Sequence, residues 1–351
     1  MSNSLINEKI DYHIDITGLG NSGKAIVSDY LNEFKNVVVP RKDFEFNLLR
    51  APGGLMDMHY ALVENWTPIR ADDSIRRFRK LTKRLGAKIN YRSPKETLNA
   101  AGFRYDDFFP GFSILTDDFL NEIITFTYKG LWPYVSYHNN TFDLVWKRVS
   151  SKFYREKARE DIFFADGESF TDKLNKYVYG IMSLAIKQGP KIYVTHNSFE
   201  PYELNRYFQV MKNSKMILVS RDPRDVYTNI VEGNKMKSGF YKKIDPTFYN
   251  ICAASDIEKF IHYQKKLLSF EKGFDHPNLL VIKFEEFIEK YELVSDKVKK
   301  FLGLSSDHHV DQYKYFDPKI SVKNIGIHKK SHFSKEIKLI ETELEGHYSF
   351  S

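Results

Sequence analysis

Cysteine is almost absent from this sequence, since Cys252 is the one example in 351 residues. A disulfide framework and a cysteine-based zinc site within the chain are therefore excluded. The sequence also lacks an apolar run of membrane length, and its polar start, MSNSLINEKIDYH, is unlike a secretory signal. We expect a cytoplasmic protein without a transmembrane segment, and a soluble fragment of a membrane-anchored enzyme is the alternative.

The residue that follows an early Gly-rich turn and Lys24, Ala25, has no side-chain hydroxyl. Residues 11–31 predict a short buried strand, a tight turn and a helix, a combination that cradles phosphate groups. The spacing Gly18-x4-Gly23-Lys24 fits the P-loop pattern, but Ala25 replaces the Ser or Thr that normally holds Mg²⁺. We therefore predict phosphate binding without a metal site. A structural turn between strand and helix is the alternative.

Basic and aromatic residues are, by contrast, abundant. Lys and Arg outnumber Asp and Glu by 53 to 46, which gives a net charge of +7, and there are 28 Phe and 22 Tyr. The positive charge indicates an anionic ligand or partner, but it does not choose between a nucleotide, a polysaccharide and a nucleic acid. With 42% apolar residues, the chain can bury a large core.

Short apolar strands alternate with amphipathic helices in much of the chain. We predict strands at 12–17, 36–40, 191–195, 215–220 and 279–284, and helices at 24–34, 170–187, 201–211, 256–274 and 285–302. This alternation predicts an α/β fold, a P-loop-type doubly wound sheet with mostly parallel central strands and helices on both faces. Ligands of such sheets bind at the carboxyl ends of the strands.

Residues 51–167 interrupt this alternation. We expect one domain over 1–351, in which 51–167 is a large, mainly helical insertion that forms the acceptor site. The segment 74–86 predicts a basic amphipathic helix. Its Arg and Lys side chains form either a solvated face or a surface for an acidic acceptor.

One strand end carries the most specific resemblance to a known family. The segment KMILVSRDPRDVYTN, 215–229, resembles the sulfotransferases that use 3′-phosphoadenosine 5′-phosphosulfate (PAPS). In that family a strand ends in an Arg that binds the 3′-phosphate of the donor, and Arg221 takes this position. The family usually has a Ser eight residues later, where this chain has Asn229. A surface turn with local ion pairs is the alternative for this motif alone.

A second strand end, PKIYVTHNSFEPYEL at 190–204, resembles the Lys-Thr-His segment of the cytosolic sulfotransferases. The resemblance implies that His196 is a catalytic base, although Val194 replaces the family's Lys. A hydrogen-bonded histidine with no catalytic role is the alternative. Glu45 takes a position that resembles the catalytic Glu of Golgi-type carbohydrate sulfotransferases, and its alternative is a surface or salt-bridged carboxylate. The resemblance favours the carbohydrate type of enzyme over the cytosolic small-molecule type.

The Gly-rich turn resembles the family's loop for the 5′-phosphosulfate. The family pattern Pro-(Lys or Arg)-Ser-Gly-Thr-Thr is matched by Gly20, Asn21, Ser22, Gly23, Lys24 and Ala25. The family's cation is missing at Asn21, and Lys24 appears three residues later. The catalytic cation has either moved to Lys24 or been lost. SVKNIGIHKK at 321–330 resembles the late loop over the nucleotide, which implies that Lys323 and Asn324 also contact the donor.

The resemblance implies transfer of a sulfuryl group from PAPS to a hydroxyl or amine, leaving adenosine 3′,5′-bisphosphate. A sulfuryl group carries less negative charge than a phosphoryl group, so we expect no metal, in agreement with Ala25. A glycan is the first choice of acceptor, small phenols and alcohols remain open, and no nucleic-acid partner is expected. A P-loop small-molecule kinase and a non-catalytic nucleotide-binding protein with a degenerate sulfotransferase fold are the alternatives.

Overall fold

The computed structural model describes residues 10–18, 20–40, 44–87, 103–130, 159–186, 192–236, 256–273 and 275–350, with 141–142, 145–146 and 149. The chain divides into two compact units. The helical unit contains 1–10, 47–188 and 209–212, and the sheet unit contains 11–46, 189–208 and 213–351.

Seven strands form two sheets in the described residues. They are β1 Tyr12–Thr17, β2 Val37–Val38, β3 Phe126–Gly130, β4 Glu160–Phe164, β5 Ile192–His196, β6 Ser214–Ser220 and β7 Leu279–Lys283. The sheet unit holds five parallel strands in the order β2-β5-β1-β6-β7. The helical unit holds the antiparallel pair β3–β4.

Helices cover both sides of the main sheet, so the predicted α/β fold is confirmed. The α-helices are α1 Ala25–Leu31, α2 Leu55–His59, α3 Pro68–Gly86, α4 Tyr105–Phe108, α5 Phe112–Ile123, α6 Phe170–Leu184, α7 Leu204–Val210, α8 Pro223–Met236, α9 Ile257–Gly273, α10 Phe284–Glu289, α11 Tyr291–Leu302, α12 Pro318–Ser321 and α13 Ser334–Leu344. A π-helical turn spans Tyr60–Glu64, and 3₁₀ turns span Ser306–His308, Val322–Asn324 and Ile327–Lys330.

The strand β1 lies in the middle of the parallel sheet, and its residues from His13 to Thr17 are buried. Apolar side chains of β1, including Ile14 and Ile16, join the main core together with Val27 and Tyr30 of α1. Because parallel strands end at the same edge, this arrangement brings the turns after β1, β5 and β6 to one side of the sheet unit.

Some predicted elements are shorter or divided. The helix predicted over 24–34 ends at Leu31, where the N–H of Asn32 bonds to carbonyls of the last turn. The helix predicted over 285–302 is two helices that meet at Lys290, whose backbone leaves the helical region. Residues 41–43, which follow the strand predicted over 36–40, and the element ends predicted at Lys187, Lys191 and Phe274 lie outside the described residues.

The helical unit contains more regular structure than the sequence predicts. The helix predicted over 74–86 begins at Pro68, because the hydroxyl of Thr67 accepts a hydrogen bond from the N–H of Arg70 and Pro68 suits the first turn. The β3–β4 pair, in which Phe126 lies opposite Phe164, is an addition to the expected helices. No helix among the described residues has both the length and the apolar character needed to cross a membrane.

The turn between β1 and α1 packs closely against α10. Gly23 has a φ of +82°, and a Cβ atom at this position would lie 2.2 Å from the ring of Phe284. Phe284 is buried in the main core and therefore has little room to move. Gly303 has a similar φ of +66°, but nothing lies within 4 Å of a Cβ atom there.

We expect Gly23→Ala to lower the free energy of unfolding by roughly 2–4 kcal/mol, because the methyl group overlaps Phe284 and the backbone is strained. Gly303→Ala is the matched control and should cost only roughly 1 kcal/mol, since it carries the backbone strain alone. Urea denaturation of both variants measures the difference. Equal losses would show that the turn is not held against α10.

Candidate functional site

The turn at 20–24 has the shape of an anion cradle. Asn21 has a φ of +65° and Gly23 a φ of +82°, so the backbone turns sharply before α1. The side chain of Ser22 is buried at 2% exposure, and its hydroxyl has no hydrogen-bond partner within the described residues. A buried hydroxyl without a partner is costly in a folded protein, so the Ser22 hydroxyl is available to a ligand atom or a water molecule.

Arg221 follows β6 and is almost fully buried at 6% exposure. Its guanidinium donates hydrogen bonds to the carbonyls of Asn21 at 3.1 Å and Asn324 at 2.7 Å, and it lies 4.7 Å from the ring centre of Phe284. The Nε atom has no partner in the described part of the chain. Burial lowers the pKa of Arg221. The guanidinium remains charged, because its ordinary pKa is far above neutrality.

Asn229, Lys323 and Asn324 are exposed, and of these three Asn324 contacts the buried cation directly. Asn229 donates from Nδ2 to Oδ1 of Asn21 at 3.2 Å, and Asn324 contributes its carbonyl to Arg221. Lys323 is exposed on the same 3₁₀ turn as Asn324. The structure therefore brings the cradle, Arg221 and Asn229 together, and it places Lys323 and Asn324 on a 3₁₀ turn whose Asn324 carbonyl bonds to Arg221.

Lys24 and Glu45 are joined through the side chain of Asn197, which no motif in the sequence points to. Lys24 donates from Nζ to Oδ1 of Asn197 at 2.7 Å. The amide nitrogen of Asn197 donates to Oε1 of Glu45 at 2.7 Å. One amide thus connects a cation at the start of α1 with a carboxylate after β2. This Lys24–Asn197–Glu45 bridge places a positive group and a proton acceptor in one small region.

His196 lies next to this bridge but faces α1. Its side chain is 4% exposed, and its Nε2 atom lies 2.9 Å from the hydroxyl of Ser28. Burial, reinforced by the nearby charge of Lys24 and opposed by Glu45, lowers the pKa of His196 to about 4. His196 is therefore neutral at pH 7, and one of its nitrogens is already engaged.

The sequence carries only a weak signal for the role of Asn197. The φ of Asn197 is +50°, and Asn tolerates this left-handed conformation better than most residues. The sequence signal was a run of polar residues, THNS, directly after an apolar strand. Within this run only His196 matches the family pattern.

The arrangement can bind an anion and move a proton. Within the part of the chain that the structure describes, Ser22 and Arg221 each have a buried donor without a partner, so these residues fit a phosphorylated or sulfated ligand. Lys24 provides a cation and Glu45 a carboxylate beside that region. Within the described residues, no three His, Cys, Asp or Glu side chains are grouped so as to hold a metal ion.

Residues 133–343, more than half of the chain, match the family model described as sulfotransferase domain. The match includes His196, Arg221 and Asn229, whereas Lys24 and Glu45 precede it. No curated protein matches the sequence.

Several solved structures are similar at low identity. The sulfotransferase domain from the curacin biosynthetic pathway has 14% identity and a TM-score of 0.42, covering 98% of this chain and 100% of that chain. The sulfotransferase domain of the Synechococcus PCC 7002 olefin synthase has 11% identity and a TM-score of 0.42, covering 98% of both chains. A Mycobacterium avium sulfotransferase has 11% identity and a TM-score of 0.41, covering 99% of this chain and 79% of that chain.

The lowered pKa of His196 predicts a pH dependence of stability. Its pKa falls from an ordinary 6.5 to about 4 on folding, so the fold favours the neutral form. The resulting stability is present above pH 6.5 and is lost as the pH falls towards 4. Between pH 7 and pH 5, wild type should lose about 2 kcal/mol more stability than His196→Gln. Urea denaturation at both pH values measures this difference, and parallel losses would contradict it.

Proposed function

Since this chain belongs to the sulfotransferase family, we propose that it transfers a sulfuryl group from PAPS to a hydroxyl or amine, with a glycan as the first choice of acceptor. The observation that carries this proposal is the Lys24–Asn197–Glu45 bridge beside the anion cradle. Sulfuryl transfer needs positioning, a cation near the leaving oxygen and a base for the acceptor proton. The bridge supplies the last two.

The cradle and the Arg221 region are the proposed donor site. When bound, PAPS supplies the sulfuryl group, and adenosine 3′,5′-bisphosphate is the product that remains. Ser22 and the backbone of the cradle would hold the 5′ end, and Arg221 with Asn229 would hold the 3′-phosphate. The support is that Oγ of Ser22 and Nε of Arg221 are buried donors with no partner among the residues that the structure describes.

Glu45 is our choice of base. Its carboxylate is partly exposed and accepts a hydrogen bond from Asn197, so an acceptor hydroxyl can approach it. His196 is buried and bonded to Ser28, which suits a role in holding β5 against α1. Lys24 would stabilise negative charge that develops on the leaving oxygen. Asn197 would hold the ammonium group of Lys24 and the carboxylate of Glu45 at a fixed separation.

The two alternatives make different predictions for ligands. A P-loop kinase would bind ATP with Mg²⁺ and lose its activity in EDTA, but Ala25 offers no hydroxyl for the metal. A degenerate binding protein would bind adenosine 3′,5′-bisphosphate without turnover. Calorimetry with that ligand and with ATP plus Mg²⁺, followed by a transfer assay with labelled PAPS, separates the three functions.

We propose that the helical unit binds the acceptor. A groove of about 430 Å³ lies between α3 and α5, and it is lined by Arg79, Thr82, Lys83, Phe112, Ser113, Thr116, Asp117 and Leu120. The exposed cations Arg79 and Lys83 suit an acidic sugar, which offers anionic groups, and the exposed carboxylate of Asp117 offsets one of the two charges.

A neighbouring basic residue of α3 does not share this role. Arg76 is ion-paired with Asp72 at 2.7 Å and with Glu160 at 3.5 Å, so its charge is already compensated. The proposed acceptor contacts on this helix are therefore Arg79 and Lys83.

Arg221→Ala should weaken binding of adenosine 3′,5′-bisphosphate roughly 10- to 100-fold, because it removes charge-assisted hydrogen bonds to the 3′-phosphate. AMP, which lacks that phosphate, is the matched ligand and should lose much less affinity. Calorimetry with both ligands checks the assignment. Equal losses would mean that Arg221 supports the loop rather than the 3′-phosphate.

Lys24→Ala should lower kcat by roughly 10²–10³, because it removes an electrostatic group that acts mainly in the transition state. Glu45→Gln should also lower kcat strongly, and His196→Asn should lower it much less. Labelled-PAPS turnover measures kcat, and calorimetry confirms unchanged donor affinity.

A larger loss of kcat in His196→Asn than in Glu45→Gln would make His196 the base. Near-normal kcat in both variants would show that the base lies elsewhere. A normal rate in Lys24→Ala would contradict the catalytic role of the cradle.

Replacing Arg79 and Lys83 together by Ala should raise KM for an acidic acceptor roughly tenfold or more, because two charge-assisted contacts are lost. Donor affinity should stay unchanged. Lys80→Ala is the matched control, since Lys80 is exposed on the same helix and does not line the groove. An equal rise in KM for the control would indicate general electrostatic attraction instead of a binding groove.

A further inference from the structure

Three hydrogen-bonded polar side chains, those of His13, Asp15 and Thr195, are buried in the sheet next to the proposed catalytic bridge. The mechanism described so far does not use them. His13 and Asp15 on β1 are 0% exposed, and Thr195 on β5 is 1% exposed. The hydroxyl of Thr195 donates to Oδ1 of Asp15 at 2.7 Å and lies 2.5 Å from Nε2 of His13. Burying polar side chains is costly unless hydrogen bonds compensate the lost water, and the oxygens of Asp15 and Thr195 have such bonds.

The directions of the two hydrogen bonds made by the Thr195 hydroxyl follow from its single proton. Because the hydroxyl proton of Thr195 points to Asp15, its oxygen accepts from Nε2–H of His13. Burial lowers the pKa of His13 to about 3, so His13 is neutral. Burial raises the pKa of Asp15 to about 6, while its hydrogen bonds with Ser198, Thr195 and Phe199 oppose that rise. At neutral pH Asp15 is therefore a carboxylate that only accepts hydrogen bonds.

The same carboxylate holds the turn after β5. Its Oδ1 accepts from the N–H of Ser198 at 2.8 Å, and its Oδ2 accepts from the N–H of Phe199 at 3.1 Å. The N–H of Asn197 donates to the carbonyl of Ile16 at 3.1 Å. All three consecutive N–H groups of this turn thus end on two neighbouring residues of β1.

This fixation matters because Asn197 has a φ of +50°. A left-handed conformation of a residue other than Gly persists where the surroundings hold it in place. The amide of Asn197 spans Lys24 and Glu45 with two bonds of 2.7 Å each, so a small rotation of the turn breaks at least one of them.

We propose that Asp15 is a positioning residue for sulfuryl transfer: its carboxylate fixes the 197–199 turn, so that the amide of Asn197 spans Lys24 and Glu45. The inference rests on the proposed function. Asp15 touches neither substrate nor reacting atoms and acts through Asn197.

The test is a double-mutant cycle with Asp15→Asn and Asn197→Ala, in which kcat is expressed per site that binds adenosine 3′,5′-bisphosphate. This normalisation removes any loss of folded protein. Asp15→Asn should lower kcat roughly 10- to 100-fold, because a small misplacement of catalytic groups has effects of that size. Donor affinity should change less than about twofold, since Arg221 lies elsewhere. The double variant should be no slower than Asn197→Ala alone.

Two further variants keep the test decisive. Thr195→Val removes one hydrogen-bond donor to Asp15 and should lower kcat less than Asp15→Asn does. Combined with Asn197→Ala, it should again be no slower than Asn197→Ala alone. This variant decides the test if Asp15→Asn does not fold. Tyr12→Phe is the matched control. It removes the hydrogen bond from β1 to the carbonyl of Leu302, which is remote from the turn, and should leave kcat unchanged.

The possible failures are distinct. Normal kcat per binding site in Asp15→Asn, or additive effects in the cycle, would overturn the role of Asp15 while the proposed function stands. Absence of label transfer by wild type to every acceptor would overturn the proposed function, and this inference with it.

Discussion

The central position of β1 is the constraint on which the rest of the sheet unit depends. Because β1 is paired on both edges, its carboxyl end lies between those of β5 and β6. The cradle that follows β1 therefore lies beside the turn carrying Asn197 and beside Arg221. Backbone pairing, rather than any single side-chain contact, brings these three segments of distant sequence together. The side chains then set the chemistry of the edge.

Charge is distributed unevenly along that edge. Arg221 is buried on the side of β6, between two carbonyls and an aromatic ring, where it keeps its charge with little water around it. Lys24 is on the side of β5, bonded to a neutral amide that also bonds a carboxylate. One end is thus suited to hold a fixed anion, and the other to respond to charge that appears during a reaction.

The strand positions and their polar ends were predictable, because short apolar strands and Gly-rich turns are strong local signals. The cradle, Arg221 and Glu45 followed from those ends and from the family resemblance. Asn197 was not predictable in the same way, since its role depends on a left-handed backbone fixed by β1, a contact between residues far apart in sequence. The early start of α3 had a local signal, Thr67 before Pro68, and the division near Lys290 had no such signal.

The turn that holds Asn197 also affects the rate at which this residue deamidates. An Asn followed by Ser loses its amide when the next backbone nitrogen attacks the side-chain carbon, and that nitrogen must first give up its proton. Here the nitrogen belongs to Ser198, which is fully buried and donates its proton to Asp15 at 2.8 Å. The fold therefore protects this amide from deamidation. Were it lost, a second carboxylate would face Glu45, and the neutral connection between Lys24 and Glu45 would become a site of like-charge repulsion.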